Sequence, residues 1–264
     1  PKGVVLTHRN LYMNALIFGF HLGISEDEVY LHTLPMFHCN GWGLPYMISA
    51  AGGTHVIQEK IDGQQILSRI SNHGVTLLNG APTVMRMVLD AKRESTISKP
   101  SRAVRTVVAG APPPPALIEE LESELGWEFL QIYGLTETAP ILTLNRKRSE
   151  WSGQMGAKLS RAGAPAVGVD LRITPDGEIL AKAHGVLDRY WQDPDATDDA
   201  IVNGWFHTGD GGVMEKGQLT INDRKKDMII SGGENISSIE IESLLYQHPE
   251  ILEAAVIGVP DEKW

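Results

Sequence analysis

From about residue 30 to residue 134, short β-branched runs alternate with longer runs of helical period, which confines the chain to an α/β architecture. Residues 54–58, 75–79, 104–109 and 128–133 read as strands. Residues 63–71, 83–92 and 115–125 read as helices, with Pro115 suited to a first turn and Gly126 to a stop. Parallel neighbours need a crossover rather than a tight turn. Helices between the strands therefore predict a mostly parallel sheet with right-handed connections and flanking helices. Gly80-Ala81-Pro82 and Gly110-Ala111-Pro112 each close a strand and precede a helix. In an open parallel sheet, ligands collect beyond the carboxyl ends of the strands. Gly110-Ala111-Pro112 and Tyr133-Gly134-Leu135 leave two such ends, where small residues admit a flat ring and Tyr133 is available to stack on it. A plain loop entering a helix is the other reading of the Gly-Ala-Pro triplet.

After about Val167 the pattern changes to hairpins, which predicts a β-hairpin or barrel-like subdomain. Leu171-Arg172-Ile173-Thr174 and Glu178-Ile179-Leu180-Ala181 flank the turn Pro175-Asp176-Gly177. A second hairpin turns at Lys216-Gly217. Pairing Glu215 with Gln218 and counting back sets Asp210 opposite Asp223, next to Arg224. A carboxylate and a guanidinium at one end of a ribbon suit a ribose diol and phosphate oxygens, or else form a surface ion pair of little worth. Ser237-Ser238-Ile239-Glu240 carries a capping-box pattern opening a helix to about Gln247. This predicts the start of a small C-terminal α+β domain with its boundary near Lys226.

Composition narrows the function classes. Among 264 residues, 33 are acidic and 23 basic, a net charge of −10 and the wrong sign for a non-specific nucleic-acid binder. Cys39 is the only cysteine, so no intrachain disulfide is possible; a reducing, cytoplasmic setting is the expectation. The most apolar early segment, residues 11–20, is too short for a membrane span and carries Asn14. Peripheral membrane contact and oligomeric state stay open. A start at Pro1 without methionine and a stop at Trp264 after an apolar run lead to the expectation of an internal fragment.

The run Ile132-Tyr133-Gly134-Leu135-Thr136-Glu137-Thr138 bears most directly on chemistry. Two hydroxyls and a carboxylate after a strand end suit a magnesium-bound nucleotide phosphate, because magnesium takes hard oxygen ligands. The same triplet can also cap a helix.

Together these residues resemble the adenylate-forming (AMP-binding) superfamily of acyl- and aryl-CoA ligases, adenylation domains and luciferases. Pro1-Lys2-Gly3-Val4 is similar to the end of its phosphate loop and Tyr133-Gly134-Leu135-Thr136-Glu137 to its central nucleotide motif. Trp205-Phe206-His207-Thr208-Gly209-Asp210 resembles its ribose-binding motif. Asp223-Arg224-Lys225-Lys226-Asp227 with Gly232-Gly233-Glu234-Asn235 resembles its interdomain hinge. Leu34-Pro35-Met36-Phe37-His38-Cys39-Asn40-Gly41-Trp42 is similar to the medium- and long-chain fatty acyl-CoA synthetase branch.

The resemblance implies residues 1–166 as the α/β part of a large AMP-binding domain, 167–225 as its β-rich subdomain, and 226–264 as the start of a mobile C-terminal domain. It assigns Lys2 to the ATP phosphates, Thr136 to the α-phosphate region and Glu137 to magnesium. Gly110, Ala111, Pro112, Tyr133, Gly134 and Leu135 would line the nucleotide slot, and Asp210 with Arg224 would hold the ribose. Lys226 would be the hinge, and His38 would lie where carboxylate and α-phosphate meet. Trp42 would gate the acyl tunnel, and Gly232 and Gly233 would leave room for the CoA arm. As the bland alternatives, Trp42 is a core residue, and His32, His38 and Cys39 evoke a zinc site for which no second ligand cluster exists. The implied reaction uses ATP, Mg2+, CoA and a carboxylic acid, fatty by this likeness. An aryl-CoA ligase, a carrier-protein-loading adenylation domain and a non-catalytic nucleotide-binding fragment are the alternatives. The isolated chain is expected to be inactive.

Overall fold

The computed structural model describes residues 2–96, 100–224, 229–231, 234–245, 248, 251 and 254–259. A two-residue strand β1 (Val4–Val5) leads into α1 (His8–Leu22), then β2 (Val29–His32), α2 (Leu44–Ala51), β3 (Thr54–Ile57), α3 (Gly63–His73), β4 (Leu77–Gly80), α4 (Pro82–Arg93) and β5 (Arg105–Val108). The α/β part continues through α5 (Pro115–Glu120), β6 (Glu128–Gly134), β7 (Ile141–Arg146), α6 (Met155–Leu159) and β8 (Ala164–Pro165). The β-rich part holds β9 (Val169–Ile173), β10 (Glu178–Ala183), β11 (Arg189–Tyr190), α7 (Pro194–Ala200), β12 (Ile201–Val202), β13 (Trp205–Glu215) and β14 (Gln218–Arg224). A hairpin of β15 (Ile229–Ser231) and β16 (Glu234–Ile236) precedes α8 (Ser238–Leu245).

The main sheet has the order β3-β2-β4-β5-β6-β7-β8. Its first five strands run parallel, and β7 and β8 are antiparallel additions. On β2, β4, β5 and β6 adjacent residues enter opposite cores: Tyr30, Leu77, Val107 and Leu130 join one cluster, and Leu31, Leu78, Val108 and Phe129 the other. Side chains alternate between faces, so a strand covered on both sides reads as a continuous apolar run. The first cluster takes Phe18 and Leu22 of α1; the second takes Ile66 and Ile70 of α3, Met85 and Leu89 of α4, and Ile118 of α5. The expected helix over 115–125 is α5 followed by a wider π turn, Leu121–Leu125, ended by Gly126 at φ 70°.

The second sheet has the order β12-β13-β10-β9, with β14 on β13. Both expected hairpins form: β9 pairs with β10, and β13 pairs with β14 with Glu215 opposite Gln218. One detail of the register reading is corrected. Asp210 lies opposite Arg224, not Asp223, because the ladder shifts between Gly211 and Gly212. Ile221 pairs with Gly212 and Asp223 with Gly211, leaving Asn222 as the extra residue of a bulge. Gly212 lies close to its surroundings, since a Cβ there would stand 2.7 Å from Thr220 O and 2.9 Å from Ile179 Cδ1. The Ser237 hydroxyl donates to Asn222 O at 2.9 Å, fastening the residue before α8 to that bulge.

Candidate active site

The carboxyl end of β6 builds the centre of the site. The β6–β7 ladder shifts register between Tyr133 and Gly134, and a Cβ on Gly134 would overlap the Pro140 carbonyl oxygen. Only glycine fits there. A single 3-10 turn, Thr136–Thr138, follows. Thr138 Oγ1 accepts the Leu135 N–H at 2.9 Å, which closes the turn and leaves Thr136 exposed and Glu137 half-buried. The segment before β11 wraps this turn: the Leu187 N–H donates to Glu137 O at 2.7 Å, and Gly185 approaches Thr138 O more closely than a Cβ allows.

That wrapping brings β11 over the turn. Val4 pairs with Tyr190, so the chain just after Lys2 is bound to β11. The buried Tyr190 donates its hydroxyl to Glu137 Oε1 at 2.9 Å, and the Lys2 ammonium lies 4.6 Å from the centre of the same ring. Burial raises the tyrosine hydroxyl above its ordinary range; the hydrogen bond to Glu137 and the charges of Glu137 and Asp193 push the same way. Tyr190 is therefore a fixed donor at physiological pH.

Tyr133 carries the connection to the second sheet. It is 8% exposed and donates its hydroxyl to Asp210 Oδ2 at 2.8 Å. The Asp210 N–H donates to Thr208 Oγ1 at 3.1 Å, and the Thr208 hydroxyl donates to Ile179 O at 2.7 Å, so β10 and β13 hold the aspartate's backbone in place. Arg224 is opposite Asp210 by backbone pairing. Gly110, with φ 93°, and the exposed Ala111 follow β5, the parallel neighbour of β6. Pro112 is half-buried in the same loop.

On the other side of Thr136 lies an unusual backbone. Cys39, Asn40, Gly41, Trp42 and Gly43 all have positive φ, from 48° to 76°, a complete left-handed turn. A bulky residue there costs about 1–3 kcal/mol, so surrounding contacts must impose the conformation. Asn14, fully buried on α1, supplies them. Its amide donates to Trp42 O at 2.9 Å, and its carbonyl accepts from the Ile141 N–H at 3.2 Å. The turn sets Cys39 Sγ 3.2 Å from Thr136 Oγ1. Burial raises the Cys39 thiol above its usual range, with the Thr136 hydrogen bond opposing and the Glu137 charge assisting. His38 is exposed, and its neighbour Phe37 is 91% exposed. Trp42 is 5% exposed and packs in the core cluster with Phe18 and Leu44.

Lys2, Thr136 and Glu137 thus gather around Tyr190 and the 3-10 turn, with Cys39, next to His38, touching Thr136. Tyr133, Gly134 and Leu135 belong to the same strand end, and Asp210 reaches it through Tyr133. Lys226, Gly232 and Gly233 lie outside the described residues. His32 is occupied by His55, ring nitrogens 2.9 Å apart, and no group of three or more potential metal-ligating side chains occurs among the described residues. The donor set fits magnesium nonetheless: one carboxylate beside a hydroxyl suits an ion that completes its octahedron with phosphate oxygens and water. Sequence reasoning missed Tyr190 and Asn14. Nothing in the spacing of Asp188-Arg189-Tyr190-Trp191 marks a site. A lone asparagine inside the apolar stretch of α1 was a usable signal of a buried clamp.

The strand ends of the parallel sheet meet the hairpin aspartate in the region where open α/β sheets collect their ligands. Residues 1–191 match the AMP-binding enzyme family, and residues 240–264 match the AMP-binding enzyme C-terminal domain. The chain belongs to the AMP-binding enzyme family. It is 40% identical over 284 residues to a 2-methylpropanoate–CoA ligase of Humulus lupulus, across 100% of this chain and 50% of that protein. It is 37% identical over 283 residues to a peroxisomal acetate/butyrate–CoA ligase of Arabidopsis thaliana, with the same coverage. The o-succinylbenzoate coenzyme A synthetase of Bacillus subtilis, solved with ATP and magnesium ion, superposes with a TM-score of 0.88 at 34% identity, over 100% of this chain and 55% of that one. A Mycobacterium tuberculosis fatty acyl CoA synthetase gives 0.80 at 34%, over 100% and 53%. The chain spans about half the length of the curated relatives it matches.

Proposed function

We propose that this chain forms the nucleotide-binding centre of an AMP-forming acid–thiol ligase that converts an aliphatic carboxylic acid to its CoA thioester. The observation that carries the reading is the Tyr133–Asp210 hydrogen bond, which joins the Thr136–Glu137 turn to the hairpin aspartate in one locus. In the first step a carboxylate oxygen attacks the α-phosphorus of ATP, the bond to the β-phosphate oxygen breaks, and pyrophosphate leaves. The CoA sulfur then attacks the acyl carbon of the acyl-adenylate, and AMP departs. Neither step requires a covalent bond to the protein. Both require anions held in line with their repulsion neutralised, which accounts for a lysine, hydroxyls and one carboxylate in place of a nucleophile and base.

In this reading Lys2 faces the phosphates, Thr136 the α-phosphate, and Asp210 with Arg224 the ribose. Gly110, Ala111, Pro112, Tyr133, Gly134 and Leu135 border the base. Glu137 holds the magnesium ion, which neutralises phosphate charge when bound. His38 stands at the meeting of carboxylate and phosphate, and Trp42 borders the acyl path. Lys226 acts as the hinge and Gly232 and Gly233 as the CoA passage. The division at 166 and 226 belongs to the same proposal.

The substrate reading is narrower. Relatives named for acetate, butyrate and 2-methylpropanoate support an aliphatic acid, and the likeness of residues 34–42 to the fatty-acid branch supports longer chains. No described helix is long and apolar enough to cross a membrane. Peroxisomal relatives stand beside the cytoplasmic reading, and a fluorescent fusion of the full-length protein decides between them. The deciding assay is a panel of acids from acetate to stearate, with aromatic acids, measured for CoA-dependent AMP release by the full-length protein and its Glu137→Ala variant. Aliphatic acids should support release that the variant lacks. Release with aromatic acids alone, or with none, rejects the proposal.

A further inference from the structure

We infer that Tyr190 is a positioning residue of the activation step, holding Lys2 by its ring face and Glu137 by its hydroxyl before ATP arrives. This rests on the ligase reading above. The ring–ammonium distance is 4.6 Å and the hydroxyl–carboxylate distance is 2.9 Å, so one side chain touches both charges. Left alone, an exposed lysine two residues before a short strand and a half-buried glutamate on a single turn would either sample many rotamers or pair with each other. Among the described residues they form no ion pair with one another. The aromatic face takes the cation and the hydroxyl takes Oε1.

The tyrosine itself has little freedom. It is 5% exposed, its backbone pairs with Val4, and its N–H donates to Thr197 Oγ1 at 2.9 Å. Thr197 in turn donates to Asp193 O at 2.8 Å, at the start of α7. Each end of the arrangement is therefore anchored: α7 fixes the tyrosine, and the tyrosine fixes the lysine and the glutamate. A residue that orients a metal-binding carboxylate in this way changes metal affinity about 10–100-fold when its hydrogen bond is removed.

Two variants of the full-length protein separate the two arms. Tyr190→Phe keeps the ring under Lys2 and removes the hydroxyl; Tyr190→Leu removes both. Tyr190→Phe should raise the Mg2+ concentration for half-maximal ATP–pyrophosphate exchange about tenfold, leaving the acid KM unchanged. Calorimetric titration of ATP with and without Mg2+, in the absence of acid, should show the same loss only in the Mg2+-containing arm. Tyr190→Leu should weaken ATP binding in both arms. Wild-type Mg2+ dependence in Tyr190→Phe overturns the inference, as does an equal rise in the Mg2+, ATP and acid constants. If the wild-type protein forms no acyl-adenylate with any acid, the ligase reading fails first and takes this inference with it.

Discussion

The Tyr133 hydroxyl donates to Asp210 Oδ2 at 2.8 Å, joining the last parallel strand of one sheet to the longest strand of the other. A hydrogen bond to a charged group contributes about 1.5–3 kcal/mol, so Tyr133→Phe should lower unfolding stability by that amount in urea titration. It should also weaken ATP binding more than acid binding, and Asp210→Ala should do so more strongly. Equal losses for both ligands would mean general damage rather than a nucleotide contact.

Gly134→Ala tests the sharpest steric constraint in the site. The added Cβ would overlap the Pro140 carbonyl oxygen, and backbone on both sides of the bulge would have to part. A loss of about 3 kcal/mol or more is expected, read as a large drop in thermal midpoint or in folded yield. A variant with native stability would show that the β6 end is pliable.

Asn14→Leu removes the buried partner of two backbone groups, the Trp42 carbonyl and the Ile141 amide. Each orphaned group costs about 1–3 kcal/mol, and the left-handed turn loses what imposes it. Stability should fall by about 2–4 kcal/mol, with faster hydrogen exchange at Cys39–Gly43. Unchanged exchange there would separate Asn14 from the turn.

His32 provides a pH test. Burial, followed by the His55 charge, lowers its imidazole from 6.5 to about 4. The unfolded chain takes up a proton near pH 6.5 that the folded chain refuses until about pH 4. Stability is therefore fully present above pH 6.5 and lost as pH falls through that window. His32→Gln should flatten the urea midpoint between pH 7 and pH 4.5. An equally steep decline in the variant would assign the acid sensitivity elsewhere.

Much of the architecture was legible because its signals are local. Short β-branched runs separated by helical ones pointed to the parallel sheet, and Pro175-Asp176-Gly177 and Lys216-Gly217 to both hairpins. What escaped depends on distant partners. β7 and β8 have no periodic neighbour that marks them as antiparallel additions. The start of α1 did carry a cue: the Thr7 hydroxyl accepts the Asn10 N–H at 3.2 Å, and Asn10 Oδ1 accepts the Thr7 N–H at 2.7 Å. The pairing of Asp210 missed by one residue because a bulge at Asn222 leaves no mark in spacing. In the same way, Glu137, Thr136 and Lys2 carry a motif, whereas Tyr190 becomes visible only once β11 lies against the chain after Lys2.

That last pairing also sets an order of events. As the chain leaves the ribosome, the segment after Lys2 must wait for its partner strand until Arg189 and Tyr190 have followed it. Contacts so far apart in sequence form late, after the parallel sheet has a core of its own. Nascent chains arrested short of Tyr190 should therefore be structured yet unable to retain nucleotide, and the competence to bind it should arrive only once Asp210 and Arg224 have emerged as well.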